Sequence, residues 1–282
     1  NGVSGLDPVY MDRITESINE AIRQAAANMQ PSQLSVATTS MEEQNPYFTG
    51  TKHGGFNPMV DAKGMINDLR DPRIVSDKLL TLQANHLETG ATILTLTNWS
   101  GHPEVGGGND SAISADWVGV TRTALEGHYG GTAIHLPEAL GGMQSALFLG
   151  LPLIDAQGVE QFEVCTEQDT TETDNVYGCF GKEVGSPKLN EAGHPLPQWA
   201  LSSTAQVITS HGWHIANAAI KSLESAEVIQ EMYLDIDSEW MYVPVDNPIY
   251  NLVFSLDILD LGFDDMVIDP TLCQETTDQA PI

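Results

Sequence analysis

The sequence predicts an α/β protein in which a mixed β-sheet is flanked by helices. Three observations predict it. The chain opens on a long helical stripe followed at once by a strand pattern. Its middle then runs strand, Gly-rich loop, helix, strand, Gly-rich loop, the pattern of a β-strand crossing over to a parallel neighbour. Finally, 41% of its 282 residues are hydrophobic and only 18% charged, enough to bury a core and too little charge for a disordered chain.

Taken in order, the first element is "LDPVYMDRITESINEAIRQAAANMQPSQL". Asp7 can cap a helix, Pro8 suits its first turn, and Pro31 ends it. Ile14, Ile18, Ala21, Ile22, Ala25 and Met29 recur at helical spacing. "QLSVATT" reads as a short strand. Residues 40–76 are rich in Gly, Pro, Asn and Asp without periodicity, a long irregular segment of the kind that often carries function. It contains His53, which reads as a solvated loop residue. It also contains Arg70 and Arg73. These pair with Asp68, Asp71 or Asp77, or else clamp a substrate carboxylate and help organise a site.

"KLLTLQANHLETGATILTLTNWSGHP" is a β-hairpin by pattern, with Leu80, Leu82 and Ala84 alternating with polar residues around an "ETG" turn. "SADWVGVTRTALEGHYGG" is a helix capped by Ser114 and stopped by Gly130 and Gly131, "TAIHLPE" the next strand, and "ALGGMQSALF" a Gly-rich turn. In such units ligands bind beyond the carboxyl ends of the strands, where both the His102 loop and the Gly141–Gly142 loop fall. Residues 151–200 read as a polar inserted loop region. "SSTAQVITSHGWHIANAAIKSLESAEV" is a further helix, and "QEMYLDIDSEWMYVPVDNPIYNL" holds one or two strands. His211 and His214 share a face of that helix, but no acidic residue stands at matching spacing, so they read as surface rather than metal ligands. The whole, residues 1–282, is expected to be a single α/β domain.

Composition narrows the partners. Asp and Glu number 39 against 11 Lys and Arg, a formal charge of −28. This repels phosphate backbones and disfavours nucleic acid. A solvated acidic shell, suited to salt or secretion, explains the charge. No run of apolar residues is long enough to span a membrane, and no signal peptide is visible in a chain that begins at Asn1. Of three cysteines, Cys165 and Cys179 lie 14 apart. They form a disulfide in an oxidising compartment, with Cys273 left over, or all three are buried thiols. HExxH, GxSxG and P-loop spacings do not occur. A serine esterase would have to draw on Ser100, Ser145 and His135, without a nucleophile elbow.

The stretches "TLTNWSGHPEV", "ISADWVGVTRTALE" and "GTAIHLPEALGGMQS" resemble, in that order, the neutral/alkaline (non-lysosomal) ceramidase family. There a strand ends in Asn-x-x-x-His-Pro and a helix begins Ser-x-Asp-x-x-Gly. "DPVYMDRITESINEAIRQAA", "RDPRIVSDKLLTLQ" and "VPVDNPIY" also fit the family's order, although residues 94–145 carry most of the resemblance. The resemblance implies a ceramidase-like catalytic domain: a zinc-dependent amidase acting on N-acyl sphingolipids or related amides, at a membrane surface, in an extracellular or periplasmic setting. It implies His102 as a zinc ligand. Asn98, Asp116 and Arg70 organise the site, and the backbone at Gly141, Gly142 and Met143 forms the oxyanion hole. The family's other ligands, a second His, a Glu and a Tyr, map to segments expected outside residues 1–282, so the chain reads as truncated at both ends. The family's nucleophilic Ser falls on Gln144, with Ser145 one residue later. That departure points to a divergent branch, or to a non-catalytic binding or structural domain on the same fold.

Overall fold

The computed structural model describes residues 7–45, 47, 65–66, 75–107, 113–141, 146, 150–173, 177–200, 205–231, 233, 235–237, 247–249 and 252. The chain divides into two compact units, Asn1–Gln230 and Glu231–Ile282. All the elements named below belong to the first.

Helix α1 spans Pro8–Ala27. Asp7 caps it as its sequence requires, accepting hydrogen bonds from the Val9 and Tyr10 amides. The apolar stripe is present, but the helix has no buried residue and Ile18 and Ile22 are 54% and 62% exposed. Strand β1 (Ser32–Ser40) follows, then a single turn, α2 (Met41–Gln44). The Ser40 hydroxyl donates to Asp77 and the Gln44 amide to the Thr39 hydroxyl. Together they tie this turn to its own strand and to the start of the hairpin. His53, Arg70 and Arg73 lie outside the described residues.

β2 (Lys78–His86) and β3 (Thr92–Trp99) form the expected hairpin. α3 (Asp116–Tyr129) crosses from β3 to β4 (Thr132–Pro137), which runs parallel to β3. With the short β7 (Glu227–Val228) they make a five-stranded mixed sheet in the order β4-β3-β2-β1-β7. α5 (Ala205–Leu223) packs over β1 and β2, and α3 over β3 and β4. The two helices meet where Gly212 leaves no side chain: a Cβ there would lie 2.5 Å from Val120 Cβ and 2.7 Å from the Trp117 carbonyl.

The alternation in β2 and β3 holds, yet the face beneath the helices is the polar one. Thr81, Gln83, Thr95 and Thr97 are buried there. Gln83 donates to the Thr95 hydroxyl, and Ser222 of α5 donates to that of Thr81. Short β-branched residues let small-residue α5 approach closely while their hydroxyls find partners. The bulky rows, such as Val36–Leu82–Leu96–Ile134, lie on the opposite face, with Ile134 39% exposed. The core proper runs from Leu79, Trp99 and Ala133 on the sheet to Trp117 and Leu125 on α3 and Ile215 and Ala219 on α5.

The 151–200 region is more ordered than a loop insertion. β5 (Leu151–Pro152) pairs with β6 (Trp199–Ala200). Isolated bridges continue the ribbon outward through Ile154–Glu160, Phe162–Pro197, Val164–Pro187 and Leu189–Pro195. Prolines spaced along it interrupt the ladder, so periodicity could not reveal it. At its tip, α4 (Glu167–Thr171) begins with a Thr166–Asp169 capping box, and Cys165 and Cys179 form a disulfide, both sulfurs buried. A bridge closing a loop of this length is worth about 3 kcal/mol. Reduction with dithiothreitol is therefore expected to lower unfolding stability in urea by about 2–3 kcal/mol. An unchanged midpoint would show that the bridge constrains only a locally frayed tip.

Candidate functional site

Trp99 ends β3 at full burial, and the chain turns over its indole at once. A Cβ on Gly101 would sit 2.2 Å from the Trp99 ring, so the Gly of "SGHPE" is a packing requirement. Ser100 is buried and donates its hydroxyl to the Ser76 carbonyl. His102 follows, half-buried. Its carbonyl accepts two hydrogen bonds, one from the Glu104 amide at 3.0 Å and one from the Trp117 indole N–H at 2.9 Å. The loop continues through Val105, buried in the core, to Gly106, where a Cβ would press on the Ile208 side chain of α5.

Asp116 holds this loop from the other side. Its carboxylate accepts from the Val105 amide at 3.2 Å, the Gly106 amide at 2.9 Å and the Trp117 amide at 2.7 Å. Its own amide donates to the Ser114 hydroxyl at 3.2 Å. Ser114, the expected cap, stands one residue before the helix N-cap, Ala115, which makes no side-chain cap bond. Asp116 reaches the loop by adopting φ +51°, a left-handed conformation that Asp tolerates better than most residues but that still costs energy.

Behind the loop stands a cluster of rings. Trp117 stacks on His211 at 5.1 Å and meets His135 edge-on at 4.8 Å, while Trp99 lies 5.4 Å from both Trp117 and His211. His135 shares a 3.1 Å hydrogen bond with the Thr97 hydroxyl through Nδ1. His214 Nε2 donates to the Pro152 carbonyl at 2.8 Å, which fixes its tautomer because a carbonyl only accepts. Burial pushes His135 and His214 down to about 4. His211, fully buried and beside both other histidines, goes down to about 3. Among the described residues six buried side-chain polar atoms have no hydrogen-bond partner. Five belong here: Trp99 Nε1, Glu104 Oε1, His135 Nε2 and both nitrogens of His211.

The reading of His211 and His214 as helix surface is thereby corrected: both point into the core. Their neighbours in sequence, Gly212 and Ile215, are equally buried positions, so α5 has a wide buried face that a stripe of large apolar residues does not mark. Asn98 faces away from the helices and donates to the Leu136 carbonyl at 3.0 Å, clipping β3 to β4. Ser100 and His135 are bonded to different partners, so these two members of the esterase set are not brought together. Gly141 is described, in a turn after β4; Gly142, Met143, Gln144 and Ser145 lie outside the described residues, as does Arg70. Cavities of about 850 Å³, between α3 and α5, and about 500 Å³, beside Tyr47, include neither His102 nor Asp116.

A zinc ion needs about three protein donors. Among the described residues no group of three or more His, Cys, Asp or Glu side chains is placed to hold a metal ion, so these residues do not by themselves fit one.

Fold and site together define a mixed α/β protein with a pinned loop at the carboxyl end of a parallel strand pair. No family model matches the sequence, and no curated protein matches it. Among solved structures the chain is similar to the neutral ceramidase from Pseudomonas aeruginosa. The identity is 12% and the TM-score 0.40, over 76% of this chain and 26% of that one. It is also similar to a ceramidase complexed with C2, at 12% identity and TM-score 0.37, over 72% of this chain and 24% of the other. The chain spans about a quarter of the length of these structures.

Proposed function

We propose that the chain is a ceramidase-like amide hydrolase domain whose reaction site lies at the His102 loop. The observation that carries this reading is Asp116, a non-glycine residue at φ +51° whose carboxylate clasps the 105–106 backbone at the end of β3. Strain held in place by so many bonds is characteristic of functional loops. The motif resemblance supports the reaction class, an N-acyl sphingolipid or related amide as substrate, presented by a membrane surface. The Cys165–Cys179 disulfide supports an oxidising, extracellular or periplasmic setting. No helix among the described residues is long and apolar enough to cross a membrane. Of the family's zinc ligands, only His102 lies in this chain.

In this reading His102 contributes its imidazole at the loop, Asn98 and Asp116 fix the strand end and the loop, and the resemblance assigns stabilisation of the oxyanion to the Gly141, Gly142 and Met143 amides, the last two outside the described residues. The second reading, a non-catalytic domain of the same fold, rests on Gln144 standing where the family has its nucleophilic Ser. One assay separates them. With a fluorogenic N-acyl amide and added zinc, the hydrolase reading expects turnover that His102→Ala lowers at least 100-fold with an unchanged melting temperature. A wild-type chain without turnover sinks it in favour of the binding domain.

A further inference from the structure

The His102 loop is held by one indole hydrogen bond, by the Asp116 carboxylate and by the buried Val105 side chain. Trp117 Nε1 donates to the His102 carbonyl, and the Asp116 carboxylate accepts from the Val105 and Gly106 amides. The indole is itself held by two imidazoles, stacked on His211 at 5.1 Å and edge-on to His135 at 4.8 Å. Those imidazoles retain three ring nitrogens without hydrogen-bond partners in a region that excludes water. A histidine buried there is held neutral by the lost solvation of its cation, which a contact with the indole face offsets only in part. Among the described residues no carboxylate is hydrogen-bonded to these nitrogens, and the buried carboxylate oxygen of the cluster, Glu104 Oε1, is itself without a hydrogen-bond partner.

We propose that Trp117 is a positioning residue for the His102 loop, and that His135 and His211 make its anchorage releasable by acid. Lifting the loop removes the cover over the indole edge, lets water reach the imidazoles and allows them to take up protons that the closed state refuses. Burial holds His135 down to about 4 and His211 to about 3, so uptake drives opening as pH falls below the ordinary histidine range. The charged or titratable groups on the surrounding described elements are His214 and Lys221 on α5, Asp116, Arg122, Glu126, His128 and Tyr129 on α3, Lys78 and His86 on β2, Glu138 after β4, and His102 and Glu104 in the loop. Arg122 is turned away, donating to the Ala133 carbonyl, and Glu138 accepts from Ser76. No partner of either sign is hydrogen-bonded to the free nitrogens of His135 or His211. The inference concerns the loop's closure and does not require amide hydrolysis: a chain without turnover leaves it standing.

Hydrogen exchange on the full chain between pH 7 and pH 5, corrected for intrinsic rates, tests it. Each histidine exposed by opening multiplies the opening constant about 20-fold over that range. The expected result is a rise of at least tenfold at the amides of Glu104 to Gly107, which at every pH open with a lower free energy than the β2 and β3 amides, whose exchange follows the fall in global stability. Trp117→Phe, which keeps a ring but removes the donor, should speed the same amides about tenfold at pH 7. His135→Phe and His211→Phe should flatten the pH response. A flat wild-type profile overturns the proposal. So does a loop that opens only together with the sheet, or a pH response that survives both histidine substitutions. If a variant does not fold, the wild-type pH series decides.

Discussion

Global stability should fall steeply between pH 7 and pH 5.5. His135, His211 and His214 have folded-state pKa values lowered to about 4, 3 and 4 by burial, against about 6.5 in the unfolded chain. Above pH 7 all three are neutral in both states and contribute no pH dependence. As pH drops through 6.5 only the unfolded chain gains protons, so stability is lost until the folded values are passed. At pH 5.5 each histidine costs about 1.4 kcal/mol, roughly 4 kcal/mol together, out of a typical total of about 5–15 kcal/mol. The window lies above the carboxylate range, so relief of the −28 charge does not mask it. Urea midpoints at pH 7.5, 6.5 and 5.5 measure it, and a midpoint constant across the three would contradict the buried histidines. His211→Phe should recover about a third of the loss.

Gly212→Ala reads the helix contact by its sign. In an open helix the change adds about 1 kcal/mol through propensity. At the α3–α5 crossing, the new Cβ meets Val120 Cβ at 2.5 Å and the Trp117 carbonyl at 2.7 Å. The carbonyl is backbone and cannot rotate away, and the Thr121 hydroxyl already bonds the Gly212 carbonyl at 3.0 Å. Overpacking of this kind costs about 1–3 kcal/mol and more where backbone must move. The expected net is a loss of about 2 kcal/mol in chemical denaturation. A gain would show that the helices do not touch there.

Several elements were legible because their causes are local. The cap at Asp7, the "ETG" hairpin turn and the α3 crossover between parallel strands follow from short-range chemistry, and each is where the sequence places it. The ribbon of 151–200 was not legible. It is held by single bridges between prolines and a disulfide, partners that no periodicity connects. The site was half legible. "NWSGHPE" and "SADW" marked the loop and the helix start. That the Trp117 indole holds His102, and that Asp116 turns left-handed to reach Val105 and Gly106, depends on residues 11 and 15 positions apart meeting in space.

Sequence alone determined the class of the fold, its main elements from α1 to β4 and again α5, and the loop on which to look for chemistry. Those features come from periodicity, turn residues and spacing within a few residues of one another. Tertiary structure decided which faces are inside. The threonine face of the sheet went under the helices and the leucine face did not, because α5 and α3 bring small residues and paired hydroxyls to that side. The same packing took His211 and His214 from an apparent helix surface into a ring cluster with Trp99 and Trp117. Burial is a property of what arrives from elsewhere in the chain, so His211 owes its lowered pKa first to the elements packed over it, with His214 of its own helix and His135 of β4 adding to it.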